Sequence, residues 1–321
     1  MQQRQLGADG PMVSVIGLGC NNFSRPGRAT ETLAGTKAVL DAAIDAGITL
    51  LDTAEMYGNP PTGSESLMGQ ALAGRRDRVF LATKFGHEAA VIPGAEKWGP
   101  LGGATYVKRA CDASLQRLQT DWIDLYQQHT PDPAVPIEET LGALTELVTA
   151  GKVRFIGHSN FTAEQAANAD AAAREHGLAR FVSAQNEFSL LRREAEAELL
   201  PELERLGVGF LPFFPLFSGL LTGKFSRAAR PGGTRLTDER PQLLDAADWD
   251  QLAAYQRVCD EIGAPMSQVS IAWLLTRPGL SSVIAGATRP EQIADNAAAG
   301  RLELTGETIA AIDALFAPQP T

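Results

Sequence analysis

The sequence predicts an α/β fold of the (β/α)8 type, a TIM barrel with a short N-terminal β-hairpin, with residues 1–321 forming one domain. Three observations carry that expectation. Eight short apolar runs recur along the chain, the number of parallel strands that closes such a barrel. Between them lie segments with apolar residues every three or four positions, the spacing of helices that cover a parallel sheet. The fingerprints of an open, doubly wound sheet also fail. "GLGCNN" (17–22) lacks the third glycine of a dinucleotide turn. "GLLTGKF" (219–225) is one residue short of a phosphate loop and has no Ser or Thr after its lysine.

The elements follow in order. "RQLGADGPMVSV" reads as a hairpin turning at its glycines and proline. The predicted strands are 15–19, 48–54, 79–84, 123–129, 153–159, 181–187, 207–213 and 281–287. "KAVLDAAIDAG", "YVKRACDASLQRLQ" and "IEETLGALTELVTAG" have helical spacing, and two of them end in the glycine expected just past a helix. Two Gly- and Pro-rich segments, 85–103 and 214–247, read as long loops of the kind that shape a site.

Composition excludes several functions. A net charge of −10 disfavours a nucleic-acid backbone as the main partner. No apolar run is long enough to span a bilayer, and "MQQRQLGADG" lacks the apolar stretch of a secretory leader. Three cysteines without metal-like spacing (Cys20, Cys111 and Cys259) predict a reduced, cytoplasmic protein with no metal site.

The chemistry is predicted at the strand ends. The run "TLLDTAEMYGNP" passes from a buried strand straight to Asp52, with Tyr57 five residues on. The next two strands end at Lys84 and His129. A barrel places its active site at this rim. Each residue alone also fits a bland role, an ion pair or a satisfied structural histidine, but together they make a coherent acid. Asp52 would hold the Lys84 ammonium, and an ammonium near ~4 Å favours a phenolate by ~4 kcal/mol at an effective dielectric of ~20. That interaction would make Tyr57 a better proton donor, while His129 orients a carbonyl oxygen.

These residues, in "LLDTAEMYG", "LATKFG" and "HTPDP", resemble the catalytic tetrad of the aldo-keto reductases. "RQLG…VSVIGLG", "GHSNF", "PLFSGLLTGKF" and "VIAGATRPEQIADN" extend the resemblance over nearly the whole chain. It implies reduction of aldehydes or ketones to alcohols with NADPH, Asp52, Tyr57, Lys84 and His129 being catalytic, Tyr57 as general acid. The expected partner is a small carbonyl substrate, with neither nucleic acid nor membrane insertion.

The resemblance further implies that Ser159, Asn160 and Gln185 meet the nicotinamide carboxamide. Phe213, where the family usually has tyrosine, would stack on the ring. Pro215, Leu216, Ser218, Gly219 and Lys224 would wrap the pyrophosphate. Gly286, Thr288, Arg289, Gln292 and Asn296 would surround the adenosine end; each also fits an ordinary turn or helix cap. Gln292 stands where some relatives have arginine, which leaves Arg289 as the cation for the 2′-phosphate and predicts NADPH over NADH.

His158 is expected to be structural, because strand alternation turns it from the Ser159 face. Little chain follows "GETIAAIDALF", so Asn22, Phe23 and Trp98 are the expected substrate contacts. Two rival readings stand beside this one. One is a cofactor-binding regulatory subunit resembling potassium-channel β subunits; the other is a barrel enzyme using Lys84 as a Schiff base.

Overall fold

Residues 1–317 are described in a computed structural model. The hairpin forms from β1 (Gln3–Gln5) and β2 (Met12–Ser14), paired antiparallel. Eight parallel strands follow: β3 (Ile16–Gly19), β4 (Leu50–Asp52), β5 (Phe80–Phe85), β6 (Ile123–Gln128), β7 (Val153–Ser159), β8 (Phe181–Gln185), β9 (Gly209–Phe210) and β10 (Val283–Gly286). From β3 to β9 each strand pairs with the next in sequence, and β10 pairs with β3. Three bonds join β9 and the residues after it to the entry of β10. Phe210 N donates to Gly279 O, Ser281 N to Phe210 O and Ile284 N to Pro212 O, each at 3.0 Å. The sheet therefore curls into the predicted barrel.

Several strands are shorter than their apolar runs. Pairing nevertheless continues beyond β4 and β9 through single backbone bonds, Thr53 N to Ala82 O at 2.9 Å and Leu211 N to Ala184 O at 2.8 Å. The apolar runs mark the paired stretch, and the regular ladder covers only part of it.

The barrel interior has an apolar floor. Leu50, Ala82, Leu125, Leu211 and Ile284 meet there, and the hairpin adds Leu6 and Val13, both fully buried. Burying two such side chains stabilises the plug by about 1.5–3 kcal/mol each. Gly17 belongs to this packing: a Cβ there would come 2.7 Å from Ile284 Cδ1. The glycine of "VIGLG" thus serves close strand packing.

Helices between the strands begin and end as their sequences dictate. Thr162 and Gln165 form a capping box at the start of Ala163–His176, and Gly177 ends that helix at φ 63°. Gly47 and Gly151 take left-handed conformations just past Leu33–Asp45 and Ile137–Thr149. Ala104–Leu118 ends without glycine, with Gln119 itself left-handed at φ 52°. No helix of the described residues is long and apolar enough to cross a membrane.

The two long segments differ. Residues 86–103 contain only turns, as expected of a loop. Segment 214–247 is not a plain loop, because it holds the 3-10 turn Phe217–Thr222 and the short helices Arg235–Glu239 and Pro241–Asp245. Five-residue helices carry too few apolar repeats to be read from periodicity.

His158 lies on the outer face of β7, packed between Phe161, tilted at 4.5 Å, and Phe181, edge-on at 5.1 Å. Burial pushes its imidazole down from 6.5 to about 3. Between those values the unfolded chain binds a proton that the folded chain refuses, so stability falls as pH is lowered through this window. The slope is about 1.4 kcal/mol per pH unit. His158→Phe should flatten the acid side of the urea-denaturation stability profile by that amount between pH ~6 and ~4. An unchanged slope would mean that His158 is not held neutral.

Candidate active site

Parallel pairing brings the strand ends into one layer. Asp52 closes β4 opposite Ala82, and Lys84 on β5 faces Gln127 on β6. His129 follows β6 directly, its N–H donating to Phe85 O at 2.8 Å. Tyr57 stands five residues past Asp52 on the β4 loop and is half-buried.

Lys84 is fully buried, and all three of its N–H donors are engaged. They reach Asp52 Oδ2 at 2.6 Å, Thr53 O at 3.0 Å and the Tyr57 hydroxyl oxygen at 3.3 Å. Burial alone would push Lys84 down, but Asp52 and Tyr57 outweigh it and the group is raised overall. An ammonium so engaged has no free lone pair, which weighs against a Schiff-base role. Because Lys84 donates to the phenol oxygen, the phenolic proton is left to donate elsewhere.

His129 packs edge-on to Tyr57, ring centroids 5.8 Å apart, and His87 packs edge-on to His129 at 4.6 Å. Burial, then the charges of Lys84 and His87, hold His129 well below the usual imidazole range. It is a neutral ring with one N–H donor, and its buried Nδ1 has no partner among the described residues.

Asp52 is held from its other side too. Oδ1 accepts from Gln127 Nε2 at 3.2 Å and from Gln185 Nε2 at 3.0 Å. Gln127 was not expected as a site residue. Its only signal in sequence is an inward position on β6, two residues before His129.

The remaining expected residues gather around the same rim. Ser159 Oγ donates to Gln185 O at 2.7 Å, and Asn160, left-handed at φ 61°, donates from Nδ2 to His129 O at 3.0 Å. Gln185 Nε2 donates to Asp52 Oδ1 and, at 3.3 Å, to Gln127 Oε1, so its remaining polar atom is an acceptor oxygen. Phe213 is half-buried, edge-on to Phe214 at 5.1 Å. Beyond it Phe214, Phe217 and Ser218 are left-handed at φ 53°, 47° and 59°, as is Gly219 at 104°. Strained non-glycine residues of this kind cluster where a chain must fit a ligand. In that segment Pro215 is buried, Leu216, Ser218 and Gly219 are half-buried, and Lys224 is exposed.

At the end of β10, Gly286 is exposed and Asn22 lies beside it, 3.4 Å from where a Cβ would stand. Gln292 Oε1 accepts from Thr288 N at 2.8 Å and from Thr288 Oγ at 3.1 Å, folding back over the start of helix Pro290–Ala299. Arg289 caps that helix, exposed and with no ion pair among the described residues, while Asn296 is buried.

Sequence reasoning missed a second cation, Arg235. Its guanidinium lies 4.9 Å over the Phe214 ring, beside that of Arg240 at 4.7 Å. Burial, then Arg25, push it down. One expected substrate contact is corrected: Phe23 is fully buried in the hydrophobic core and cannot face a substrate. Trp98 is half-buried, edge-on to Tyr106 at 5.6 Å.

Comparison with known proteins finds relatives over nearly the whole chain. A model of the Aldo/keto reductase family matches residues 15–317. The chain is 35% identical over 322 residues to a Bacillus subtilis (strain 168) protein named "Uncharacterized oxidoreductase YrpG", covering 98% of this chain and 96% of the relative. It is 32% identical over 327 residues to the L-glyceraldehyde 3-phosphate reductase of Escherichia coli (strain K12), covering 98% and 92%.

The ion pair generates a stability prediction. Asp52→Asn strands a buried ammonium and should destabilise the fold by about 3–5 kcal/mol, with Asp52→Asn/Lys84→Met recovering part of the loss. Chemical denaturation measures both. A single variant within ~1 kcal/mol of wild type would show that the pair is solvated.

Proposed function

The chain belongs to the aldo/keto reductase family of oxidoreductases, and we propose that it reduces aldehydes or ketones to alcohols with NADPH as hydride source and Tyr57 as general acid. The observation that carries this reading is the line from Asp52 Oδ2 through Lys84 Nζ to the Tyr57 hydroxyl, 2.6 and 3.3 Å long.

In this reading Tyr57 gives its proton to the carbonyl oxygen. Lys84 stabilises the phenolate left behind, and Asp52 keeps the ammonium in place. The neutral His129 donates a hydrogen bond to the same oxygen and fixes its direction. The buried strand layer excludes water beneath the reacting atoms, which strengthens each of these interactions.

The residues around the rim fit a nicotinamide cofactor. Ser159, Asn160 and Gln185 would hold the carboxamide and Phe213 would stack on the ring. The left-handed backbone at 217–219, with Pro215, Leu216 and Lys224, would wrap the pyrophosphate, and Arg235 adds a second cation there. Gly286, Thr288, Gln292 and Asn296 would line the adenosine end. Arg289, at the start of a helix and with no ion pair among the described residues, would meet the 2′-phosphate. The cytoplasm is the compartment this reading assigns.

Tyr57→Phe should lower carbonyl turnover by roughly 10²–10⁴-fold, the usual worth of a general acid. NADPH affinity, followed by fluorescence titration, should stay nearly unchanged. Turnover close to wild type would remove Tyr57 from the proton step. Arg289→Ala should weaken NADPH by roughly ten- to a hundredfold and leave NADH little changed. Equal weakening of both cofactors would withdraw the preference for NADPH.

A further inference from the structure

Glu55 lies between Asp52 and Tyr57, yet the proton donor does not use it. It is 1% exposed. Its N–H donates to Lys84 O at 3.0 Å, and its side chain turns away under the 86–103 loop. There one oxygen does double duty. Oε1 accepts from Gly86 N at 2.8 Å and from the Tyr106 hydroxyl at 2.9 Å, while Oε2 is buried without a partner among the described residues.

Those two donors mark the two ends of the loop. Gly86 begins it, two residues after Lys84, and Tyr106 stands in the first turn of helix Ala104–Leu118, where it ends. Gly86 O is tied in turn to Thr130 Oγ1 at 2.9 Å, next to His129. The loop carries His87, edge-on to His129, and Trp98, edge-on to Tyr106. A buried carboxyl with a bare oxygen is a costly way to fill space, and an apolar side chain would avoid the penalty. Its placement makes sense as a fastening.

We propose that Glu55 is a positioning residue, whose Oε1 binds Gly86 and Tyr106 together and so sets how the 86–103 loop, with His87 and Trp98, closes on the carbonyl substrate beside Tyr57. This rests on the carbonyl-reductase reading above. The fastening also responds to pH. Burial pushes the Glu55 carboxyl up to about 7; the Gly86 and Tyr106 hydrogen bonds and Arg117 oppose the rise, and Glu65 adds to it.

The other titratable and charged groups facing Glu55 are Tyr106, Arg117, Glu65 and Lys84. Tyr106 is pushed well up by burial and by Glu55 itself and stays a donor, Arg117 is paired with Glu65 at 2.7 Å, and the Lys84 ammonium is turned to Asp52 and Tyr57. Above about 7 the carboxylate accepts two charge-assisted hydrogen bonds, roughly twice as strong as the neutral ones below it. The loop is therefore held more tightly on the alkaline side.

The test follows benzaldehyde and DL-glyceraldehyde reduction by NADPH absorbance across pH ~5.5 to ~8.5, with hydrogen exchange of peptides covering 86–103 measured in parallel. In wild type, KM for the aldehyde should fall roughly three- to tenfold as pH rises through about 7, and loop exchange, corrected for intrinsic rates, should slow. Glu55→Gln keeps an acceptor but cannot titrate. Its KM and loop exchange should be flat with pH, near the acid-side wild-type values. Tyr106→Phe should raise KM several-fold at high pH and leave the Kd for NADPH unchanged.

If Glu55→Gln keeps the wild-type pH dependence of KM and exchange, or if both variants lower Tm alone, Glu55 is only a structural residue. Wild-type enzyme that reduces neither aldehyde nor any ketone of a wider panel would sink the proposed reaction instead. In that event the exchange data alone decide whether Glu55 fastens the loop.

Discussion

The upper layer of this barrel is organised around one buried cation. Lys84 has no exposed surface, and a lysine so placed survives as an ammonium only if each of its protons has an acceptor and its charge a counter-ion. Asp52, Thr53 O and Tyr57 meet that requirement. Asp52 then needs donors for its second oxygen, and Gln127 and Gln185 supply them from β6 and β8. One constraint thus fixes side chains at or just past the ends of β4, β5, β6 and β8. The apolar floor of Leu50, Ala82, Leu125, Leu211 and Ile284 lies beneath them, with the hairpin below that.

The division between strands and loops follows from the same constraint. Strand register sets the Asp52–Lys84 pair, and the loop after β4 brings Tyr57 to it. The loops hold what must adapt. Segment 86–103 has no regular structure of its own and is fixed at its ends through Glu55. Segment 214–247 is held differently. Left-handed residues shape its start, Arg235 and Arg240 lie over Phe214, and Arg28 Nη1 donates to Gly233 O at 3.0 Å from across the rim.

Much of this was legible in the sequence, for identifiable reasons. Asp52, Lys84 and His129 could be read because each ends an apolar run, where a polar residue is conspicuous. His158 could be placed by strand parity, and its packing against Phe161 and Phe181 agrees. Gln127 was missed because a neutral amide at an inward position has no pattern of its own; only the register shows that it reaches Asp52. Glu55 has no pattern of its own that marks it as buried, and its hydroxyl partner, Tyr106, lies far along the chain. Phe23 reads as a loop aromatic free to meet substrate, whereas the fold buries it. Arg235 sits in a short helix too brief for periodicity to reveal.

The most direct test of a proton donor that works as a coupled unit is a double-variant cycle on kcat/KM. Lys84→Met and Tyr57→Phe are measured singly and together with one aldehyde and NADPH. If Lys84 acts through Tyr57, the double variant should lose no more than Tyr57→Phe alone, within about twofold. Losses that multiply would mean that Lys84 and Tyr57 act independently, and the 3.3 Å contact between them would have no part in proton transfer.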